Sequence, residues 1–356
     1  MTKPRLIPPI RVPLLVAVFV GGLGIGAAAI AITHHQSAGH VVVTRTISTS
    51  AQAPSKSIVG TGSTSTANPT SAATGRPPAA SARERSHPSS PSAATPALTS
   101  SFAALEARLS GPVGLAVAPL GAGPIRAFGR AQIAHAWSTS KVPVLVTLLA
   151  NDEQRGTGLD SADRENATLA LTESDNAAVE ALFSSLEQLR GGLVSASESI
   201  QAMFRRAGDT SAIVNTTPND EGFTTYGQSE WSLTDEIIFY RALARGCLLD
   251  ADDTGYVLGL MANVTPSQRW GAGSAGYPGS VDIQFKGGWG PVDGAYQVRQ
   301  TAIIGSGNRG YVMSMIALPT SGSFTDGTNM LTALATWARQ HFDLGVGQSP
   351  RGCSGT

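Results

Sequence analysis

Histidine and lysine are almost missing from residues 101–356 of this 356-residue chain: the histidines there are His135 and His341, and the lysines are Lys141 and Lys286. A multi-histidine metal site cannot be assembled from two imidazoles, and a Ser-His-Asp arrangement has very few candidates. Arginine supplies the other 15 positive charges of that stretch, so each lysine calls for its own explanation. A basic surface is lacking too. The 25 basic and 25 acidic residues of the chain cancel unevenly, with 17 basic against 24 acidic over 101–356, a net of −7. Binding a phosphate backbone needs concentrated positive charge, which argues against a nucleic-acid partner. Cysteine is limited to Cys247 and Cys353, neither with a neighbouring histidine, so a cysteine nucleophile has little support. A disulfide between them is open outside the cell, with two free or buried thiols the simpler expectation.

What is present divides the chain. Residues 12–32 form an uncharged apolar run preceded by Lys3, Arg5 and Arg11. A helix of that length spans roughly 30 Å of hydrocarbon, and the flanking charges put 1–11 in the cytoplasm. The expectation is a single-pass signal-anchor in the cell membrane, with the rest of the chain on the extracytoplasmic side. Ala29-Ile30-Ala31 has the small-x-small form of a cleavage site, so secretion after signal cleavage is the alternative. No cysteine lies near the end of the run for lipid attachment. Residues 33–100 are dominated by Ser, Thr, Ala and Pro, which predicts a disordered linker because little there could offset chain entropy. A domain over 101–345 and a disordered tail over 346–356 complete the expected organisation.

Within the domain, Phe102, Leu105 and Leu109 recur at helical spacing, and 113–120 and 125–128 read as strands. Helices are predicted over 141–150, 164–171, 176–189, 195–206 and 234–245, the last opened by Ser232-Leu233-Thr234-Asp235 in capping-box form. Strands return over 281–286, 296–304 and 311–318, and 329–342 closes as an amphipathic helix. This order suggests one sheet drawing strands from both ends of the domain, with helices packed on it.

Three short motifs carry chemistry. Ser138-Thr139-Ser140-Lys141 opens an apolar helix, and residues three apart share a helical face, so Lys141 can reach the Ser138 hydroxyl. A partly desolvated lysine loses preference for its ammonium form and can take the serine proton. A polar cap on a buried helix accounts for that motif equally well taken alone. Ser174-Asp175-Asn176 heads the next amphipathic helix, where Ser174 or Asp175 suits an ordinary N-cap. In Val281-Asp282-Ile283-Gln284-Phe285-Lys286-Gly287-Gly288-Trp289 the apolar residues alternate, so Lys286 leaves the strand on its polar face just where glycines admit a close approach.

In that order and context the motifs resemble the signature of the penicillin-recognising serine hydrolases, most closely the class A β-lactamase-like proteins: Ser-x-x-Lys, Ser-Asp-Asn, then Lys-Thr-Gly or a variant on a strand. The only two lysines of the domain fall at the two lysine positions. The resemblance implies an α/β fold of the β-lactamase and penicillin-binding-protein transpeptidase kind, an antiparallel sheet flanked by helices with a helical lobe. It implies Ser138 as acylated nucleophile, Lys141 as its activating partner, and Ser174 as proton relay to the leaving nitrogen. Lys286 supplies positive charge near Ser174 and the substrate carboxylate. Asn176, Gly288 and Trp289 fall on the substrate side, with the backbone N–H groups of Ser138 and Trp289 forming an oxyanion hole. The implied substrate is a small-molecule β-lactam or a peptidoglycan peptide, handled by a monomer without cofactor or metal.

The chain also departs from the pattern. Lys286-Gly287-Gly288 lacks the hydroxyl that usually follows the lysine, and the interval from Ser138 to Ser174 is short, implying that one helix or lobe edge is missing. The stretch 215–223 has no Glu-x-x-Leu-Asn to activate the hydrolytic water; Glu221 is the nearest candidate, with Glu230 behind it, and a solvated loop carboxylate is the plain reading of both. His135 matches nothing in the signature and reads as structural. These departures keep two alternatives in view, a catalytically impaired cell-envelope binding module and a small-ester hydrolase.

Overall fold

The computed structural model describes residues 95–217, 223–345 and 353. Its strands are β1 (Val113–Pro119), β2 (Arg126–Gly129), a small pair β3 (Ile133–His135) and β4 (Glu230–Ser232), then β5 (Ile283–Val292), β6 (Ala295–Ser306) and β7 (Arg309–Ala317). Five of them form an antiparallel sheet in the order β2-β1-β7-β6-β5, so strands from both ends of the domain meet at β1 and β7 and β5 lies at an edge. Asp293 and Gly294 join β5 to β6 with φ of 51° and 79°, the left-handed pair that a two-residue hairpin of matching twist demands.

The described residues form eight helices, α1 (Pro96–Glu106), α2 (Lys141–Arg155), α3 (Ser161–Thr168), α4 (Asn176–Arg190), α5 (Leu193–Ala207), α6 (Leu233–Ala244), α7 (Ala251–Ala262) and α8 (Phe324–His341), with α6 and α8 packed on the sheet and α3–α5 packed on other helices. The strand period of two divides the apolar residues between two cores. On β7, Val312 and Ile316 join the core built with α2 and α4–α7, while Met313, Met315 and Ala317 join the one built with α1 and α8. A sheet covered on both faces explains why β1 and β7 read as nearly continuous apolar runs.

Several expectations shift. The first helix starts at Pro96, ahead of residue 101, because Thr95 caps it and proline suits the first helical turn. The predicted helix 164–171 begins earlier, where Asp160 caps Asp163, and gives way at Leu169 to a five-residue π turn. The strand predicted over 281–286 continues to Val292. Helix α7 escaped notice since Gly255 and Gly259 weaken its pattern; its start is secured by the Asp250 side chain accepting from the Asp253 N–H at 2.9 Å. Cys247 and Cys353, expected as thiols, are joined in a disulfide with Cα atoms 5.3 Å apart. Among the described residues no helix is long and apolar enough to cross a membrane; the predicted anchor, most of the linker and most of the tail lie outside them.

One buried ion pair binds the layers together. Glu236 on α6, set by the Ser232 cap, meets the Arg299 guanidinium of β6 and accepts from Ser314 of β7. Arg299 also donates to the carbonyls of Ala134, His135 and Trp231 at 2.9–3.1 Å, fastening the β3–β4 pair to the sheet. Removing one partner strands the other charge in an apolar interior. Glu236→Ala is therefore expected to lower the unfolding free energy by about 3–5 kcal/mol in chemical denaturation; a loss under 1 kcal/mol would show that the pair is not what joins these layers.

Candidate active site

Ser138 lies in a single 3-10 turn, Trp137–Ser140, between β3 and α2. The turn is held from several sides. Thr139 Oγ1 donates to the Ala136 carbonyl and Ser140 Oγ to the Trp137 carbonyl, both at 2.6 Å, and the buried Tyr240 hydroxyl donates to the Thr139 carbonyl at 3.2 Å. Trp137 has φ of 47°, a left-handed conformation that costs a bulky residue about 1–3 kcal/mol. Its ring is gripped edge-on by His135 and Phe223, each at 5.2 Å, which gives His135 a packing role. The Ser138 hydroxyl is not spent on a helix cap. It accepts from Lys141 Nζ at 2.9 Å, as the three-residue spacing predicts.

Lys141 Nζ also donates to the Ser174 carbonyl at 2.6 Å and to Asn176 Oδ1 at 2.7 Å, with Ser174 Oγ 3.4 Å away. Local backbone chemistry makes this meeting possible. Asp175 takes the N-cap of α4, accepting from the Ala178 N–H at 2.8 Å, which releases Ser174 from that duty. Ser174 closes the π turn with φ of 62°, a conformation uncommon for a non-glycine residue. Lys286 Nζ donates to Ser174 Oγ at 2.8 Å and to the Gly287 carbonyl at 3.0 Å. Ser174 thus lies between the two lysines.

The glycines after Lys286 let the sheet edge approach the serine turn. A Cβ on Gly288 would stand 2.9 Å from the Ala136 carbonyl oxygen and 3.0 Å from the Ser138 nitrogen; one on Gly290 would stand 2.5 Å from the Trp137 ring. Gly288, expected on the substrate side, is buried against the Ser138 turn, where it sets the distance between β5 and the turn. Trp289 does line the cleft, together with Ser138, Lys141, Ser174, Asn176 and the aromatic rings of Trp137, Phe223 and Tyr296.

Burial dominates the electrostatics. It pushes the Lys141 ammonium down to about 7, against the opposing pull of Asp175 and Glu180. Lys286 is driven well below the ordinary lysine value by burial, and then by the charge of Lys141. Among the described residues no carboxylate forms an ion pair with either lysine. The arrangement can therefore supply an amine base hydrogen-bonded to a serine hydroxyl, with a second serine as a proton path.

The remaining predicted residues divide. Glu221 lies outside the described residues. Glu230 is exposed on β4 and does not line the cleft. His341, which was not expected in the site, meets the Ser101 hydroxyl and the Trp337 carbonyl. Sequence reasoning missed Phe223, Tyr226, Tyr296 and Glu180. For Glu180 a signal existed in its place one helical turn beyond Asn176.

No protein-family model and no curated protein matches the sequence. Solved structures do match. A β-lactamase from Burkholderia vietnamiensis aligns with a TM-score of 0.55 and 17% identity, covering 72% of this chain and 98% of its own. A putative class A β-lactamase from Rhodopseudomonas palustris gives 0.56 and 19%, and a class A β-lactamase from Mycobacterium abscessus 0.55 and 18%, each covering 68% of this chain and 98% of its own.

The chain has the class A β-lactamase fold.

The interval between Ser138 and Ser174 holds α2, α3 and the π turn, and α2–α7 build the helical part of the fold. Within this β-lactamase fold, the state of Lys141 makes a direct forecast. Its folded value is depressed, so the neutral amine predominates above pH 7 and is lost as pH falls through about 7. Labelling of Ser138 by a fluorophosphonate is expected to slow about tenfold per pH unit below that point and to level off above it. A rate constant flat from pH 5 to 9 would contradict Lys141 as the base.

Proposed function

We propose that the protein is an extracytoplasmic serine hydrolase, membrane-tethered through residues 12–32, that forms an acyl-enzyme on Ser138 with a β-lactam or peptidoglycan-type amide. The observation that carries this reading is the 2.9 Å contact between Lys141 Nζ and Ser138 Oγ, with burial bringing the amine to about 7 so that its lone pair can accept from the hydroxyl. Lys141 takes the hydroxyl proton as Ser138 Oγ attacks the carbonyl carbon. The backbone N–H groups of Ser138 and Trp289 receive the developing oxyanion, at the N-terminal end of α2 where the helix dipole favours negative charge. Ser174, between Lys141 and Lys286, then passes a proton to the departing nitrogen as the C–N bond breaks. The disulfide supports an oxidising compartment, in agreement with the orientation set by the basic N-terminus.

Aromatic walls suit a ring-bearing acyl group, and the lack of a hydroxyl after Lys286 weakens the grip on a substrate carboxylate by roughly 1.5–3 kcal/mol. Weak rather than efficient recognition of penicillins is the consequence. Incubation with a fluorescent penicillin is expected to add one drug mass to the wild-type protein and none to Ser138→Ala. An unmodified wild type across concentration and pH would refute penicillin recognition, and an adduct that survives Ser138→Ala would refute the nucleophile.

A further inference from the structure

The acyl-enzyme reading leaves open how the acyl group departs, since Asp175 is committed to capping α4 and Glu230 is outside the cleft. Glu180 is placed differently. It lies one turn beyond Asn176 on α4, so its side chain shares the face that meets Lys141. It lines a hollow that has Asn176, Phe223 and Thr224 in common with the cleft. The buried Tyr226 donates its hydroxyl to Glu180 Oε1 at 3.2 Å, and its ring packs on Phe183 at 4.8 Å, which fixes the carboxylate and leaves its second oxygen as a further acceptor. The three-residue turn carrying Tyr226 abuts the Ser138 turn: a Cβ on Gly227 would stand 3.5 Å from the Trp137 carbonyl oxygen.

We propose that Glu180 is the general base of deacylation, activating a water that enters from the α4 side of the acyl group. This rests on the acyl-enzyme reading. Glu180 takes one proton from the water as its oxygen bonds to the acyl carbon. The tetrahedral intermediate then breaks its bond to Ser138 Oγ, which takes a proton from the adjacent Lys141 as Glu180 returns the water's proton to that amine, leaving free acid, the starting serine and an ionised Glu180. Glu180 is an exposed residue whose carboxyl is partly desolvated, and this, with the charge of Glu187, raises it above the ordinary range against the Tyr226 hydrogen bond and the charge of Lys141, a direction that suits a base working near neutrality.

The test follows the full-length protein with a fluorescent penicillin, measuring adduct formation and adduct lifetime separately by intact mass after a chase. Glu180→Gln is expected to acylate within about threefold of the wild-type rate while its adduct persists about 100-fold longer or more, the size of a lost general base. Because the adduct forms only in a folded site, its appearance also certifies the variant. A wild-type lifetime in Glu180→Gln, or acylation lost along with deacylation, would overturn the assignment. So would a long-lived adduct in Glu221→Gln with a normal one in Glu180→Gln. If the wild type forms no adduct, the acyl-enzyme reading falls and this inference with it; if it forms one and Glu180→Gln releases it as fast, this inference falls alone.

Discussion

Two lysine side chains are buried within reach of one serine, and among the described residues neither meets a carboxylate. An ammonium ion out of water without a counter-charge is costly, and the cheapest response is to give up its proton. Everything near the cleft is arranged around that constraint. Lys141 is surrounded by neutral oxygens: the Ser174 carbonyl and the Asn176 amide oxygen accept the two N–H groups of the amine, which leaves its lone pair for the Ser138 hydroxyl proton. Such neutral partners hold the amine without restoring the electrostatic support that a carboxylate would give. A carboxylate in their place would fix the lysine as a cation and remove the base.

Holding three separate segments around one hydroxyl, that of Ser174, requires unusual backbone, and the cost is carried away from the cleft. Trp137 and Ser174 both adopt left-handed conformations, and they flank Ser138 and the Ser174 hydroxyl directly. The strain persists because the neighbouring carbonyls are individually bonded and because Arg299 and Glu236 hold the β3–β4 pair against the sheet. On the other wall, glycines at 287, 288 and 290 bring β5 into contact with the turn and with Trp270. Scaffold and site are thus one mechanical unit: the buried ion pair places β3, and β3 delivers the serine.

Much of this was legible because the sequence is poor in lysine. With only Lys141 and Lys286 in the domain, their places in Ser-x-x-Lys and in the strand preceding the glycines stood out, and the order of strands and helices followed from periodicity. Other features carry no such mark. A carboxylate at i+4 on an amphipathic helix, as Glu180 is, reads like any solvated residue until Tyr226 is found beside it. Three-residue strands such as β3 and β4 are too short for a pattern. The partnership of Cys247 and Cys353 spans 106 residues, and spacing alone could not pair it. The choice of Asp175 over Ser174 as the cap is likewise a tertiary matter, decided when Lys141 and Lys286 both turn toward Ser174.

The central claim is that Lys141 loses its proton near neutral pH. The chain has four lysines, so protein labelled with carbon-13 at lysine Cε gives a spectrum that can be assigned from a Lys141→Arg variant. Titrated by NMR, the Lys141 signal is expected to move with a midpoint near 7. A midpoint near 10, the value of an ordinary solvated lysine, would mean that the group beside Ser138 is a permanent cation and not a base.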